Sequence, residues 1–119
     1  MLYCEYMYCV LFLDIYLTHW VDEYAVGSNV EITCVAEGFN KLTDIAIHRE
    51  DTTLASITEG LAPQVSNVTI VTSNITETEG TLVIQLISIQ CSDKGRYTCF
   101  SSGEGKMKND TLKLNVTDC

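Results

Sequence analysis

Asp93-Lys94-Gly95-Arg96-Tyr97-Thr98-Cys99 is the stretch whose reading decides the fold of this chain. Gly95 lacks a Cβ and so permits a tight turn directly after Asp93. The residues that follow, Arg96 to Ser101, form a strand around Cys99, with Tyr97 two positions before the cysteine. Immediately upstream, Thr81 to Ser88 places Leu82, Ile84 and Leu86 on one face, and Ile89 follows.

Outward from this stretch the apolar period stays at two, which is the period of a half-buried strand. Val30, Ile32, Cys34 and Ala36 alternate with Glu31, Thr33 and Val35, and Gly38 ends the run. Ile45, Ile47 and Arg49 alternate with Ala46, His48 and Glu50. Leu54 to Ile57 is a short strand, and Val65 to Thr72 a β-branched one with Val68 and Ile70 on one face. Leu112, Leu114 and Val116 close the set. Turn residues separate the runs at Gly27-Ser28-Asn29, Gly60 to Pro63, Glu79-Gly80 and Gly103-Glu104-Gly105. Seven or more short strands at this spacing predict an all-β sandwich or barrel. No internal repeat or low-complexity tract is present.

Composition narrows the function. The chain has 119 residues, enough for one core and too few for two. With 7 basic against 16 acidic residues and a net charge of −9, it lacks the basic face that phosphate neutralisation needs, which argues against nucleic-acid binding. Anionic membrane surfaces are disfavoured on the same ground. The acidity suits either a basic partner or, more simply, a well-solvated surface. Six cysteines without metal-type spacing, beside two histidines, favour disulfides in an oxidising compartment over a metal site. Four of the six asparagines stand in N-x-Thr tripeptides, at Asn67, Asn74, Asn109 and Asn115. With 22 Ser and Thr in 119 residues, about one would arise by chance. N-glycosylation is therefore expected, against the alternative that Thr-rich strands beside turn asparagines create unused tripeptides.

Residues 1–20, MLYCEYMYCVLFLDIYLTHW, carry an apolar run from Tyr6 to Leu17. Its length suits a signal peptide and is too short to span a bilayer. No lysine or arginine precedes it, Asp14 interrupts it, and no clear cleavage site follows before Ala25-Val26-Gly27. An atypical signal peptide, a misassigned N-terminus and a genuine strand are the three readings. No other segment is apolar enough for a membrane anchor. The chain stops at Cys119 without a stalk or tail, which suits a piece of a longer receptor.

The stretch from Asp93 to Cys99 resembles the D-x-G-x-Y-x-C signature of immunoglobulin domains, and the resemblance covers about residues 24 to 117. It implies an immunoglobulin-like β-sandwich of two antiparallel sheets over residues 22–118. It further implies a core disulfide between Cys34 and Cys99, and a Tyr97 hydroxyl bonded back to upstream backbone. The 65-residue separation of Cys34 and Cys99 leaves room for three intervening strands and so suits a V-type or I-type domain. Three departures stand out. Where the family buries a tryptophan on the disulfide, this chain has Ile47, so packing there falls to aliphatics and Phe39. Residues 61 to 68 hold no basic partner for Asp93, which is expected to accept local backbone bonds instead. The last strand lacks the glycine bulge of antigen-receptor variable domains, and an antigen receptor proper is disfavoured.

The same topology places Cys91, in the turn before the Asp93 stretch, and Cys119, after the last strand, at one end of the sandwich. A second disulfide, Cys91–Cys119, is the expectation. The alternatives are that Cys119 opens a linker or pairs between chains. Cys4 and Cys9 enter from the opposite end and should not reach Cys91. Asn115 is expected to face outward from the sheet that V-type domains commonly pair through. That leaves the connections Gly38 to Thr43 and Ser101 to Asp110 as contact candidates, with Gly103, Glu104, Lys106 and Lys108 the candidate ligand residues; ordinary solvated turns are the alternative.

Nothing in the chain assembles a nucleophile, base or phosphate cradle, so no enzyme and no cofactor is expected. Glu77/Glu79 and Glu50/Asp51 read as solvated turn pairs. What the resemblance implies is an extracellular recognition module for a protein or carbohydrate ligand, in immunity or cell adhesion, secreted or as an ectodomain. The alternative is a structural spacer within a larger protein.

Overall fold

The computed structural model describes residues 2–5, 8–11 and 21–119, with side chains from residue 23 onward. Two short strands, β1 (Leu2–Glu5) and β2 (Tyr8–Leu11), pair antiparallel with Cys4 and Cys9 in register. The signal-peptide reading of residues 1–20 rests mostly on residues outside those described, as do the side chains of Cys4 and Cys9.

The sandwich is built from nine strands: β3 (Val21–Ala25), β4 (Val30–Ala36), β5 (Asp44–Arg49), β6 (Thr52–Thr58), β7 (Gln64–Val65), β8 (Thr69–Ile75), β9 (Gly80–Leu86), β10 (Gly95–Gly103) and β11 (Lys106–Thr117). One sheet runs β3-β11-β10-β5-β6-β7, and the other β4-β9-β8. All neighbours are antiparallel except β3, which runs parallel to β11 with Val21 opposite Lys113. This is an all-β immunoglobulin sandwich. The pair β6 and β7 between the two core cysteines is the extra material of a V-type arrangement.

Period-two alternation becomes burial directly. β4 and β9 show strict in–out patterns, burying Val30, Ile32, Cys34 and Ala36 against Leu82, Ile84 and Leu86. β10 and β11 bury Tyr97, Cys99, Leu112, Leu114 and Val116 from the facing sheet. Ile47 is fully buried and sits beside Cys99 in the β10–β5 ladder, at the place the missing tryptophan would fill. Phe39 is buried as well.

Two strand expectations need correction. Val65 to Thr72 is not one strand: β7 ends at Val65, and β8 begins at Thr69 and runs on to Ile75. Asn67, with φ 60°, turns the chain from one sheet to the other. Asparagine tolerates that left-handed conformation better than most residues. Ser101 to Asp110 is not a loop. β10 and β11 pair through Gly103 and Lys106, leaving a two-residue turn, Glu104-Gly105. Both turn residues have positive φ (39° and 75°), as a tight hairpin that matches strand twist requires. The polar residues on either side stay extended because each finds a ladder partner.

Candidate functional site

The two ends of the sandwich are built differently. At the lower end lies the 3₁₀ turn Cys91–Asp93, whose Cys91 is bonded to Cys119 with a Cα–Cα distance of 5.6 Å. Cys34 and Cys99 are bonded across the core at 6.0 Å. Asp93 is the hub of this end. Its Oδ2 accepts the Gln90 backbone N–H at 2.7 Å, and its Oδ1 accepts Arg49 Nη1 at 3.1 Å. Its carbonyl accepts the Tyr97 hydroxyl. The local backbone bond was legible in the sequence, whereas Arg49 was missed as a partner. The missed signal was its place on the inward-facing row Ile45, Ile47, Arg49 of β5. Burial pushes the Tyr97 phenol above its ordinary value, while Arg49 pulls it the other way.

At the upper end the Gly38–Thr43 connection packs onto the β10–β11 hairpin. Thr43 N–H donates to Ser102 O at 2.9 Å, and Leu42 N–H to Glu77 O at 2.7 Å. Lys106 Nζ donates to Gly38 O at 3.2 Å and lies 5.7 Å from the Phe39 ring centroid. Ser102 Oγ donates to Asp44 Oδ2 at 3.1 Å. Gly103 is buried, and a Cβ there would fall 1.9 Å from Lys41 O. Of the four candidate ligand residues, then, Gly103 serves close packing, Lys106 fastens the hairpin to the neighbouring loop, Lys108 is half-buried opposite Ser101, and Glu104 is exposed in the turn.

Beside that turn is a depression of about 360 Å³ lined by Thr43, Ser102, Glu104, Lys106 and Met107. Met107 is 71% exposed, the most exposed of the large apolar side chains described. Sequence reasoning passed over it. The signal available was parity: Met107 falls out of phase with Leu112, Leu114 and Val116, so it faces outward. The outer face of the larger sheet continues downward through Phe100, whose ring centroid is 4.7 Å from that of His48. Asn109 stands in register opposite Phe100. Asn115 donates from Nδ2 to Glu23 Oε1 at 3.2 Å on the same outer face. Two of the four N-x-Thr asparagines therefore share this face. Asn67 and Asn74 are exposed on the opposite flank. Glu77, Glu79, Glu50 and Asp51 are exposed turn residues, with Glu50 Oε1 accepting the Arg96 N–H at 3.0 Å.

Among the described residues no group of three or more His, Cys, Asp or Glu is placed to hold a metal. No helix among them is long and apolar enough to cross a membrane. The arrangement offers shape, exposed apolar surface and hydrogen-bonding edges.

No family model matches the sequence, and no curated protein matches it. Solved structures do. The chain is similar to Tim-1, with a TM-score of 0.64, 18% identity, and 86% of this chain covering 95% of that one. It is similar to the first immunoglobulin domain in the RIG-5 IG1 homodimer, at TM-score 0.61 and 20% identity, with 82% and 90% covered. It is similar to the second immunoglobulin domain of the mouse polymeric immunoglobulin receptor, at 0.61 and 16%, with 85% and 98% covered. These likenesses show the fold: an immunoglobulin-like β-sandwich.

Proposed function

We propose that the chain is an extracellular recognition module that engages a protein or carbohydrate ligand through the end of its larger sheet, where β10 turns into β11. The observation that carries this reading is the exposed Met107 beside a depression whose walls are fixed by the Lys106–Gly38 and Ser102–Asp44 bonds. A rigid rim around an exposed apolar side chain lowers the ordering cost of association. Two disulfides among the described residues suit an oxidising compartment. A glycan on Asn115 would occupy the lower part of the same sheet face, far from the turn, which favours contact towards the hairpin end. Similar domains in receptors of immunity and adhesion give the reading its class by analogy of fold.

The test is a binding screen of the secreted, multimerised domain against arrayed extracellular proteins, glycans and intact cells. A ligand lost in Met107→Lys and Glu104→Arg but kept in Ile87→Lys, which alters an exposed residue of the other sheet's lower end, supports the reading. A ligand indifferent to Met107 and Glu104 overturns the site. Absence of any ligand across proteins, glycans and cells favours a spacer role instead.

A further inference from the structure

Residues 60–76, Gly-Leu-Ala-Pro-Gln-Val-Ser-Asn-Val-Thr-Ile-Val-Thr-Ser-Asn-Ile-Thr, contain no charged side chain, in a chain that is 19% charged. The structure places this run where charge is most needed. β7 is the last strand of the larger sheet and β8 the last of the smaller one, so one edge of each sheet lies in it. An edge strand presents an unpaired row of backbone N–H and C=O groups, a template for pairing with another chain. β8 is seven residues long and is rich in β-branched residues. Leu61, Val65 and Val71 are 67%, 51% and 49% exposed, three of the six exposed large hydrophobics described. An uncharged, β-prone, partly apolar edge is the composition that drives edge-to-edge association.

The other two edges carry ordinary protection. β3 contains Asp22 and Glu23, and β4 contains Glu31. Along β8 the ladder to β9 slips once, between Ile70 and Thr72, which bends part of the edge. The remaining feature is the pair of N-x-Thr asparagines that bracket the strand. Asn67 lies in the crossover between β7 and β8, and Asn74 near the far end of β8; both are exposed. Asn67 sits just before β8 and Asn74 five extended residues beyond its first residue, Thr69, a rise of about 17 Å, so the two asparagines bracket most of the edge.

We propose that N-glycans at Asn67 and Asn74 are edge guards: they stand in place of charge and keep the open β7/β8 flank from pairing with a second copy of the chain. A glycan is bulky, hydrated and attached at the surface, so two of them at the ends of one strand deny a partner strand its approach without altering the ladder to β9. Asn109 and Asn115, on the opposite sheet face, have no part in this. The proposal rests on the extracellular, glycosylated reading above, but its failure is separable from that reading.

The experiment uses the full chain secreted from eukaryotic cells, with glycopeptide mapping and light scattering after chromatography. Asn67→Gln/Asn74→Gln is compared with Asn109→Gln/Asn115→Gln. The first pair is expected to form oligomers and aggregate at least about tenfold faster at physiological temperature, while the second stays monomeric like the wild type. Adding Val71→Lys to the first pair should restore the monomer by putting charge on the edge. Should Asn67→Gln/Asn74→Gln fail to leave the cell, trimming the glycans of folded Asn109→Gln/Asn115→Gln protein with an endoglycosidase must produce the same association. Occupied sites with a monomeric first pair overturn the guard while leaving the recognition reading standing. Equal aggregation in both pairs, or unoccupied Asn67 and Asn74, overturns it as well.

Discussion

Arg49 on β5 donates from Nη1 to Asp93 Oδ1 at 3.1 Å, tying the middle of the larger sheet to the turn that precedes β10. The two side chains are 33% and 25% exposed, so water screens the pair only in part. Asp93 also holds Gln90 N–H and, through its carbonyl, Tyr97, so one residue organises three others. Replacing Arg49 by Met keeps the stem and removes the charge. The expected cost is about 1 kcal/mol in urea unfolding with an unchanged denaturant slope, against under about 0.5 kcal/mol for Lys94→Met on the exposed side of the same turn.

Tyr97→Phe leaves the Asp93 carbonyl without its hydroxyl donor and should cost about 1 kcal/mol at neutral pH. The alkaline limb carries a second expectation. Burial raises the phenol above its ordinary value near 10.0, so the unfolded chain ionises first as pH climbs. The neutral phenol's stabilisation is complete below pH 10.0 and is lost as pH rises through the higher folded value. Urea midpoints across this range should fall more steeply for the wild type than for Tyr97→Phe.

Gly103 does not need its glycine for backbone freedom, because its φ is not positive; it needs it for space. A Cβ would strike Lys41 O at 1.9 Å, a backbone atom that cannot swing away. Gly103→Ala should therefore cost about 2–3 kcal/mol and displace the Gly38–Thr43 connection. Gly105→Asn, at a positive-φ position with nothing within 4 Å, should cost under about 1 kcal/mol. Thermal melts of the two variants make the comparison.

Ser101 is fully buried, and its Oγ has no hydrogen-bond partner. A buried hydroxyl without a partner is a cost. Ser101→Ala is expected to be neutral or to stabilise by up to about 1 kcal/mol in urea titration; destabilisation beyond that would mean the hydroxyl has a partner in solution.

Much of this was readable because the signals are local. The alternation of Val30 to Ala36 and of Leu82 to Leu86 is burial written in the sequence, since a strand has only two faces. The Gly95 turn fixes where the Tyr97–Cys99 strand begins. What escaped depends on pairing across long separations. Nothing in residues 101 to 110 alone distinguishes a flexible loop from a hairpin whose polar residues are held by their ladder partners. Arg49 and Asp93 are neighbours only after the sheet has formed. The parallel β3–β11 pairing leaves no period-two trace in Val21–Ala25, whose acidic pair sits at an edge. At the candidate site, Glu104 and Lys106 announce themselves by charge. Met107 does not, because its exposure follows from which face of β11 it occupies.

The most direct test of the account is disulfide and glycan mapping of the unreduced protein secreted from eukaryotic cells. It should yield the Cys34–Cys99 and Cys91–Cys119 cross-linked peptides, together with sugar at the exposed N-x-Thr asparagines. Removing the 65-residue Cys34–Cys99 cross-link should then cost about 4 kcal/mol. Free thiols at Cys34 and Cys99, in a protein that stays inside the cell without sugar, would contradict both the core pairing and the extracellular recognition role.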